Sequence, residues 1–195
     1  MIGLSDLTIT KQNILEAFWK LYAQGGISNV SVTKICKLAG YNRSTFYAYF
    51  QDIYEVLDML ESLIITPESF EKDLLLPIMN SSDEKALLKE LLYFFEQYTP
   101  YLPILLGEYG DPKFRQKLLT KLTPIVIKHI PKDIYSTPYI TYIVEYQNTA
   151  ILSTITKWYQ NKKDIPQEEL IDLLLKLTRY GTRNILFPPI QNDLS

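Results

Sequence analysis

The segment from residue 43 to residue 49, RSTFYAY, brings together side chains that proteins use to bind nucleic acids. It holds one guanidinium and four hydroxyl groups, and it contains no acidic residue. An arginine can donate two hydrogen bonds to guanine, whereas hydroxyl groups bond to base edges and to phosphate oxygens. The segment is therefore a candidate for contact with DNA. The alternative is an ordinary helical hairpin in which the aromatic rings only fill the core.

Two short helices with a tight turn between them are predicted to position this segment. Ser31 is a good N-cap for the first helix, because its hydroxyl can accept a free backbone N–H. Gly40 stands where that helix should end, since glycine adopts a left-handed conformation at little steric cost. Asn42 can cap the second helix, predicted over residues 43–50, with Phe46 and Phe50 on its buried side. This pattern is typical of a helix-turn-helix.

At these residues the chain resembles the TetR (tetracycline-repressor-like) family of transcriptional regulators, over roughly residues 10–63. The match includes an apolar first helix, a glycine pair and the two short helices. It is carried by Ile14, Leu15, Ala17, Phe18, Gly25, Gly26, Ser31, Val32, Ile35, Ala39, Gly40, Thr45, Phe46, Tyr47, Tyr49 and Phe50. The resemblance implies an N-terminal three-helix DNA-binding domain. It also implies a homodimer whose partner is double-stranded DNA with a near-palindromic operator.

The resemblance assigns roles to individual side chains of the motif. The positions that face base edges in the family are occupied here by Arg43, Ser44 and Thr45, and Thr33 stands where the family sometimes adds another base contact. Tyr47 and Tyr49 occupy positions that contact phosphates, with Lys34 and Lys37 nearby as further candidates. For Tyr49, a place in the core is an equally open alternative. One position departs from the family, because the fourth helix usually begins with a lysine near a phosphate and here begins with Ile53 after Asp52.

Charge is unevenly distributed along the chain. Residues 1–52 carry five basic and three acidic side chains, while the remaining residues carry fifteen basic and nineteen acidic ones. A mildly basic segment on an acidic body fits a chain whose first part meets phosphate. With so few cations, a single copy should bind DNA weakly, so dimerisation is expected.

The rest of the chain reads as helices separated by prolines, without β alternation. The fold class is therefore predicted to be all-α with about nine helices. Helix starts are predicted at Thr10, as an N-cap, and at Ser81, which could form a capping box with Glu84. The predicted domains are residues 1–52 for DNA binding, with residues 53–65 as a connecting helix, and residues 66–195 for effector binding and dimerisation.

Aromatic residues of the larger domain are predicted to line an effector pocket, because rings with polar tips suit an apolar cavity. The predicted lining consists of eight aromatic residues and one leucine: Phe94, Phe95, Tyr98, Tyr101, Leu105, Tyr109, Tyr142, Tyr146 and Trp158. For any single member, ordinary core packing is the plainer alternative. The resemblance implies that a small effector, apolar or aromatic here, shifts the fourth helix and releases DNA.

The last two predicted helices, residues 139–160 and 167–186, carry apolar residues on more than one face. A helix that is apolar over most of its girth needs more than its own domain to bury it. The pair therefore predicts a four-helix dimer interface, as the family also forms. The predicted interface residues are Ile151, Leu152, Ile155, Leu173, Leu177 and Tyr180. A monomer with a thick core is the alternative.

An enzyme is not expected. The chain has one histidine, His129, and one cysteine, Cys36, in separate predicted domains, and no spacing resembles a metal site or proton relay. No catalytic residue, metal or cofactor is therefore predicted. The single cysteine excludes an internal disulfide and fits a cytoplasmic location. No apolar stretch is long enough to span a membrane, and the N-terminus lacks the layout of a signal peptide.

A rival function keeps the family but changes the partner. The isoleucine at position 53 and the weak positive charge are compatible with a TetR-like coactivator that acts through another protein. Binding of the purified chain alone to DNA would favour the repressor, and binding only together with a partner would favour the coactivator.

Overall fold

The computed structural model describes residues 7–132 and 138–186, and within them it contains nine helices and no strand. The all-α prediction is confirmed. The helices are α1 (Ile9–Tyr22), α2 (Val32–Ala39), α3 (Arg43–Tyr47), α4 (Ile53–Ile64), α5, α6 (Glu84–Tyr98), α7 (Phe114–Lys128), α8 (Ile140–Gln160) and α9 (Gln167–Leu186). Helix α5 consists of Pro67–Phe70, a π-helical stretch Glu71–Leu75, and Leu76–Asn80. Short helical turns occur at Ile27–Asn29 and Leu102–Leu105.

Helices α1 to α3 form the N-terminal three-helix unit. Helix α1 packs against α2 and α4, and its buried face includes Ile14, Leu15 and Phe18. Its N-cap is Thr8, whose hydroxyl accepts the Lys11 N–H, so the prediction of Thr10 as the cap is wrong. Both threonines carry the required hydroxyl, and only the backbone, extended at residue 8 and helical from residue 9, distinguishes them.

Helices α4 and α6 both begin at an aspartate. Asp52 accepts the N–H groups of Tyr54 and Glu55 at the start of α4. Asp83 accepts the N–H groups of Lys85 and Ala86 at the start of α6, so the prediction that Ser81 caps this helix is wrong. The Ser81 hydroxyl instead donates to the Asp83 carbonyl. Aspartate is as good an N-cap as serine, and it lies directly before the first helical residue.

The larger helical body packs α7 against α5 and α8, and α9 against α6. Its core is continuous with that of the three-helix unit, because Phe18 and Phe46 belong to the same buried cluster as Phe94 and Trp158. In the tight turn between α8 and α9, Lys162 and Lys163 adopt positive φ angles of 59° and 61°. The Trp158 indole N–H donates to the Ile165 carbonyl and braces this turn. None of the helices described is long and apolar enough to cross a membrane.

Candidate nucleic-acid interface

The turn between α2 and α3 fixes the position of the candidate interface. Gly40 has φ 76° and ψ 26°, the left-handed conformation expected of a glycine that ends a helix. The following N–H, of Tyr41, donates to the Cys36 carbonyl at 3.0 Å, and the Cys36 thiol contacts the Asn42 carbonyl. Ser31 and Asn42 cap α2 and α3 with their side chains. The predicted helix-turn-helix is therefore present, with α3 ending at Tyr47 rather than at residue 50.

Buried phenylalanines hold α3 against the three-helix core. Phe46 and Phe50 are fully buried, and their ring centroids lie 5.9 Å apart. Because residues that are three or four apart share a face of a helix, this anchoring leaves Arg43, Ser44 and Tyr47 on the solvent side, and 56 % of the Tyr47 surface is exposed. We call the set Thr33, Arg43, Ser44, Thr45 and Tyr47 the recognition face.

Hydrogen bonds among these residues organise the recognition face. The Arg43 guanidinium donates from Nη2 to the Thr33 hydroxyl oxygen at 2.6 Å. The Asn42 amide oxygen accepts the Thr45 N–H at 2.7 Å, the Ser44 hydroxyl at 2.7 Å and the Thr45 hydroxyl at 2.9 Å. The structure thus brings four of the predicted base-contacting residues together at one exposed corner of the molecule.

The remaining predicted DNA contacts are placed differently. The Lys34 ammonium is exposed but donates to the carbonyl and side-chain oxygens of Asn29, at 2.8 and 2.9 Å. Two of its three N–H groups are therefore engaged within the protein. Tyr49 is half-buried and packs against the core cluster, which supports the core alternative for its ring.

The start of α4, next to the recognition face, is acidic. Ile53 is half-buried and packs against the core, while the adjacent Tyr54 is exposed. Asp52 occupies the free N–H groups of α4, and a Glu55 carboxylate oxygen accepts the Gln51 N–H. A helix N-terminus ordinarily attracts phosphate, and here two carboxylates already fill that role.

An ion cluster joins α4 to the larger helical body. The Lys117 ammonium on α7 lies 2.6 Å from Asp58, 2.7 Å from Glu61 and 3.0 Å from Asp111. We call these four residues, with Tyr22 of α1 beside them, the junction. Its carboxylates lack the geometry of a metal site, since no group of three or more His, Cys, Asp or Glu among the described residues could hold a metal ion.

Burial gives the junction unusual protonation properties. Burial is the main cause that raises the pKa of Glu61, to about 7, against the opposing hydrogen bond from Lys117. Burial, with the charges of Glu61 and Asp111, raises the pKa of Tyr22 to about 12. Burial alone would lower the pKa of Lys117, but its three carboxylate partners outweigh that effect and raise it. Within the described residues the second Glu61 oxygen, Oε1, has no hydrogen-bond partner.

A close backbone approach lies near the junction. Gly26, at φ 65°, sits against residue 109, and a Cβ built on this glycine would come 2.6 Å from the Tyr109 carbonyl oxygen. Only glycine therefore fits at this point. The loop before α7 thus touches the three-helix unit both here and, through Asp111, at the junction.

The predicted effector residues fall into two groups. Phe94, Tyr98, Tyr101, Leu105 and Trp158 are buried in the continuous core, and Phe95 packs against it. Tyr109, Tyr142 and Tyr146 are 63 %, 76 % and 66 % exposed. In the single chain these three tyrosines face solvent while the rest pack inward, so their place in one cavity with the others stays a prediction.

The predicted dimer-interface residues also fall into two groups, one on α8 and one on α9. Ile155 is buried in the chain's own core, and Ile151 and Leu152 pack against that core, so contact of these three residues with a partner stays a prediction. Residues four apart share a face of a helix, and the outward face of α8 carries Tyr142 and Tyr146 instead. On α9, Leu173 and Leu177 are half-buried and Tyr180 is 57 % exposed. This stripe of α9 is therefore accessible to a partner.

The junction residues were not identified from the sequence. Lys117 lies 59 residues from Asp58 and 56 from Glu61, so no local spacing indicates their contact. The one available signal is Glu61 itself. It stands in α4 between the apolar residues Leu60 and Ile64, and a carboxylate on the apolar side of a helix needs a partner.

Two family models match the chain. Residues 14–60 match the model of bacterial regulatory proteins of the tetR family, and residues 83–180 match a model of the C-terminal region of transcriptional regulators. No curated protein sequence matches the chain.

Solved structures share the fold over most of the chain. FadR, the fatty acid degradation regulator of Bacillus halodurans, is 19 % identical, with a TM-score of 0.61 over 92 % of this chain and 99 % of that chain. The TetR transcriptional regulator from Streptococcus agalactiae 2603V is 21 % identical, with a TM-score of 0.59 over 86 % and 92 %. FadR from Bacillus subtilis, solved in complex with stearoyl-CoA, is 19 % identical, with a TM-score of 0.56 over 87 % and 98 %.

Proposed function

Because the chain belongs to the TetR family of transcriptional regulators, we propose that it is a homodimeric repressor released from a near-palindromic operator by a small molecule. In this proposal it is a DNA-binding regulator of the cytoplasm and not an enzyme. Residues 1–52 bind DNA, residues 53–65 connect, and residues 66–195 bind the effector and dimerise. The observation that carries the proposal is the exposed, acid-free recognition face on a buried phenylalanine anchor.

DNA binding would place the start of α3 in the major groove. Arg43 suits a guanine edge, and Ser44 and Thr45 lie beside it for neighbouring bases. The exposed Tyr47 hydroxyl suits a phosphate oxygen, and Lys34 would have to release Asn29 to reach one. Two copies would set two such helices about one DNA turn apart, which is why a near-palindrome is expected.

The dimer surface we propose combines the outward faces of α8 and α9. On α8 it takes Tyr142, Ile143 and Tyr146, which are all more than half exposed in the single chain. On α9 it takes the stripe Leu173, Leu177 and Tyr180. Large exposed apolar side chains that cluster on one helix face mark an interaction surface, and a second copy of the chain is the occupant that the family supplies. The Gln147 amide donates to the Thr178 hydroxyl and ties the two helices together.

The effector site we propose lies at the buried aromatic cluster of the body. Phe94 and Tyr98 contact each other at 4.8 Å between ring centroids, and the Tyr98 hydroxyl donates to Ser69 of α5. These rings pack closely, so a ligand must part them. An apolar or aromatic small molecule suits such a lining. Long-chain acyl-CoA is the first compound to test, because the structural relative from Bacillus subtilis was solved with stearoyl-CoA.

Effector and DNA would communicate through α4. This helix follows directly on the three-helix unit, and α7 holds it by Lys117 at Asp58 and Glu61 and by Lys121 at the Ser62 carbonyl. A ligand that parts the aromatic cluster would move α7 or α5 and, through these bonds, α4. Such a shift changes the spacing of the two recognition helices and hence the population able to bind DNA.

The test of DNA binding is a gel shift of the purified protein on the sequence upstream of its own gene, at two salt concentrations. The proposal expects saturable binding of two chains to a near-palindrome, weaker at the higher salt. No binding at micromolar protein, with a folded dimer confirmed by sedimentation, would overturn it.

Effector release is tested in the same assay with an acyl-CoA series of increasing chain length, and with free coenzyme A as the control. The expected result is release of DNA by acyl-CoA of one range of chain lengths and no release by coenzyme A.

The dimer surface is tested by sedimentation of Tyr146→Asp. This variant should dissociate, whereas Tyr93→Asp, at an exposed tyrosine of α6, should remain dimeric.

A second function, binding to a protein partner as a coactivator, is favoured by one observation. Asp52 and Glu55 put two carboxylates at the edge of α4 where the family meets phosphate. If DNA is retained only when a partner protein is present, this function replaces the repressor.

A further inference from the structure

Neighbouring groups engage the side chains of four residues of the recognition face, Thr33, Arg43, Ser44 and Thr45, in hydrogen bonds. Thr33 on α2 accepts one N–H of Arg43 at 2.6 Å, across the turn from α3. A guanidinium has five N–H groups, so four remain for a ligand. No carboxylate pairs with Arg43 among the described ion pairs, and its charge is therefore available.

The hydroxyl groups beside Arg43 have the opposite polarity. Ser44 and Thr45 both donate their single hydroxyl hydrogen to the Asn42 amide oxygen. In this arrangement both hydroxyl hydrogens are engaged, and each oxygen presents its lone pairs to a ligand as an acceptor. Phosphate oxygens are acceptors too and do not satisfy such a group. In the major groove, the hydrogen-bond donors are the amino groups of adenine and cytosine.

We infer that Thr33 and Asn42 preset the base preference of this chain: Thr33 aims Arg43 at a guanine, and Asn42 turns Ser44 and Thr45 into acceptors for an adjacent adenine or cytosine amino group. Each half-site should then contain a guanine next to adenine or cytosine on the strand that α3 reads. Thr33 is thereby a positioning residue and not the base contact that the family resemblance implies. The inference rests on the proposed function, because it specifies the DNA that the recognition face selects.

The experiment is selection of bound duplexes from a randomised DNA library by the full chain, its Thr33→Val variant and its Thr33→Ser variant. Valine keeps the branched shape of threonine but removes the hydroxyl, whereas serine keeps the hydroxyl. We expect the wild-type protein to enrich one guanine per half-site. Thr33→Val should lower that preference about fivefold or more, and Thr33→Ser should retain it. Affinity for scrambled DNA should be equal for all three proteins.

Three further readouts separate positioning from a general structural role. In an Arg43→Ala background, Thr33→Val should change the guanine preference no further, because the two residues act as one unit. In a synthetic duplex of the selected site, 7-deazaguanine removes the N7 acceptor and should weaken wild-type binding but leave Arg43→Ala binding unchanged. Replacing the neighbouring adenine by purine, or cytosine by pyrimidin-2-one, removes the amino group and should weaken wild-type binding in the same way.

The outcomes are distinguishable. Enrichment of a site whose guanine preference is the same in Thr33→Val as in the wild type overturns the role of Thr33. A wild-type affinity that is insensitive to loss of the amino group overturns the role of Asn42. If no DNA is enriched at all, the proposed DNA binding itself fails, whatever the polarity of the face.

Discussion

The recognition face and the junction are both networks of polar side chains, but they differ in their access to water. At the recognition face, Arg43 and Thr33 are exposed and keep spare hydrogen-bonding capacity. At the junction, Lys117 forms ion pairs with three carboxylates, and the Glu61 side chain is 3 % exposed. A solvated polar group can exchange water for a ligand at little cost, whereas a buried one depends on its protein partner. Changes at the first region should therefore alter binding, and changes at the second should alter stability.

The largest effect expected from this comparison comes from Lys117→Met. The substitution leaves Glu61 buried without its cation, which should lower the free energy of unfolding by about 2–4 kcal/mol. This loss is smaller than is usual for a fully buried ion pair, because the Lys117 side chain is 40 % exposed. Urea unfolding measures it. The matched control is Lys128→Met, whose pair with Glu71 is solvated and should contribute much less to stability. Equal losses of unfolding free energy in the two variants would contradict the greater importance of the buried pair.

The next effect is a dependence of stability on pH. The pKa of Glu61 is raised to about 7 by burial, so between its ordinary value of 4.5 and pH 7 the folded chain binds more protons than the unfolded chain. Stability contributed by this group is therefore full below pH 4.5 and falls as pH rises, by about 2 kcal/mol between pH 5 and pH 8. Unfolding in urea across this range checks it. Glu61→Gln should flatten the slope, and an unchanged slope would show that another group causes it.

A smaller effect is expected at the recognition face. Tyr47→Phe removes a hydroxyl assigned to a phosphate, so it should weaken specific and non-specific DNA binding alike, by about 1 kcal/mol. The free energy of unfolding should hardly change, because Tyr47 is exposed. Tyr93→Phe, at an exposed tyrosine of α6, is the control and should leave DNA binding as it is. A loss confined to the operator would instead assign Tyr47 to a base.

The smallest effect expected is a gain. Ile53→Lys restores the cation that the family places at the start of α4, and its stem can cover the core contact that Ile53 makes. We expect the slope of log affinity against log salt to become steeper by about one. The gain in affinity should be visible at low salt and small near physiological salt, since Asp52 and Glu55 stay beside it. No change in slope would mean that this edge of α4 does not approach DNA.

Sequence reasoning succeeded where one residue type answers one local backbone requirement. Ser31, Gly40 and Asn42 each satisfy a helix end, and the structure has all three in those roles. It failed where two neighbouring residues can do the same work, as with Thr8 and Thr10, or Asp83 and Ser81. The sequence alone also does not orient α8, because this helix is apolar on both sides and only tertiary packing shows that Ile155 turns inward and Tyr146 outward. The Lys117 cluster, formed by distant residues, has no local pattern.

Arg43 is the residue of the recognition face to which base readout is assigned. The decisive measurement is the ratio of affinities for the upstream operator and for a scrambled duplex, with the wild-type protein and with Arg43→Ala, at one fixed salt concentration. We predict that the substitution lowers operator affinity by about 1–3 kcal/mol more than it lowers affinity for scrambled DNA, and that preference at one base pair per half-site relaxes. An unchanged ratio would contradict the assignment of the recognition face.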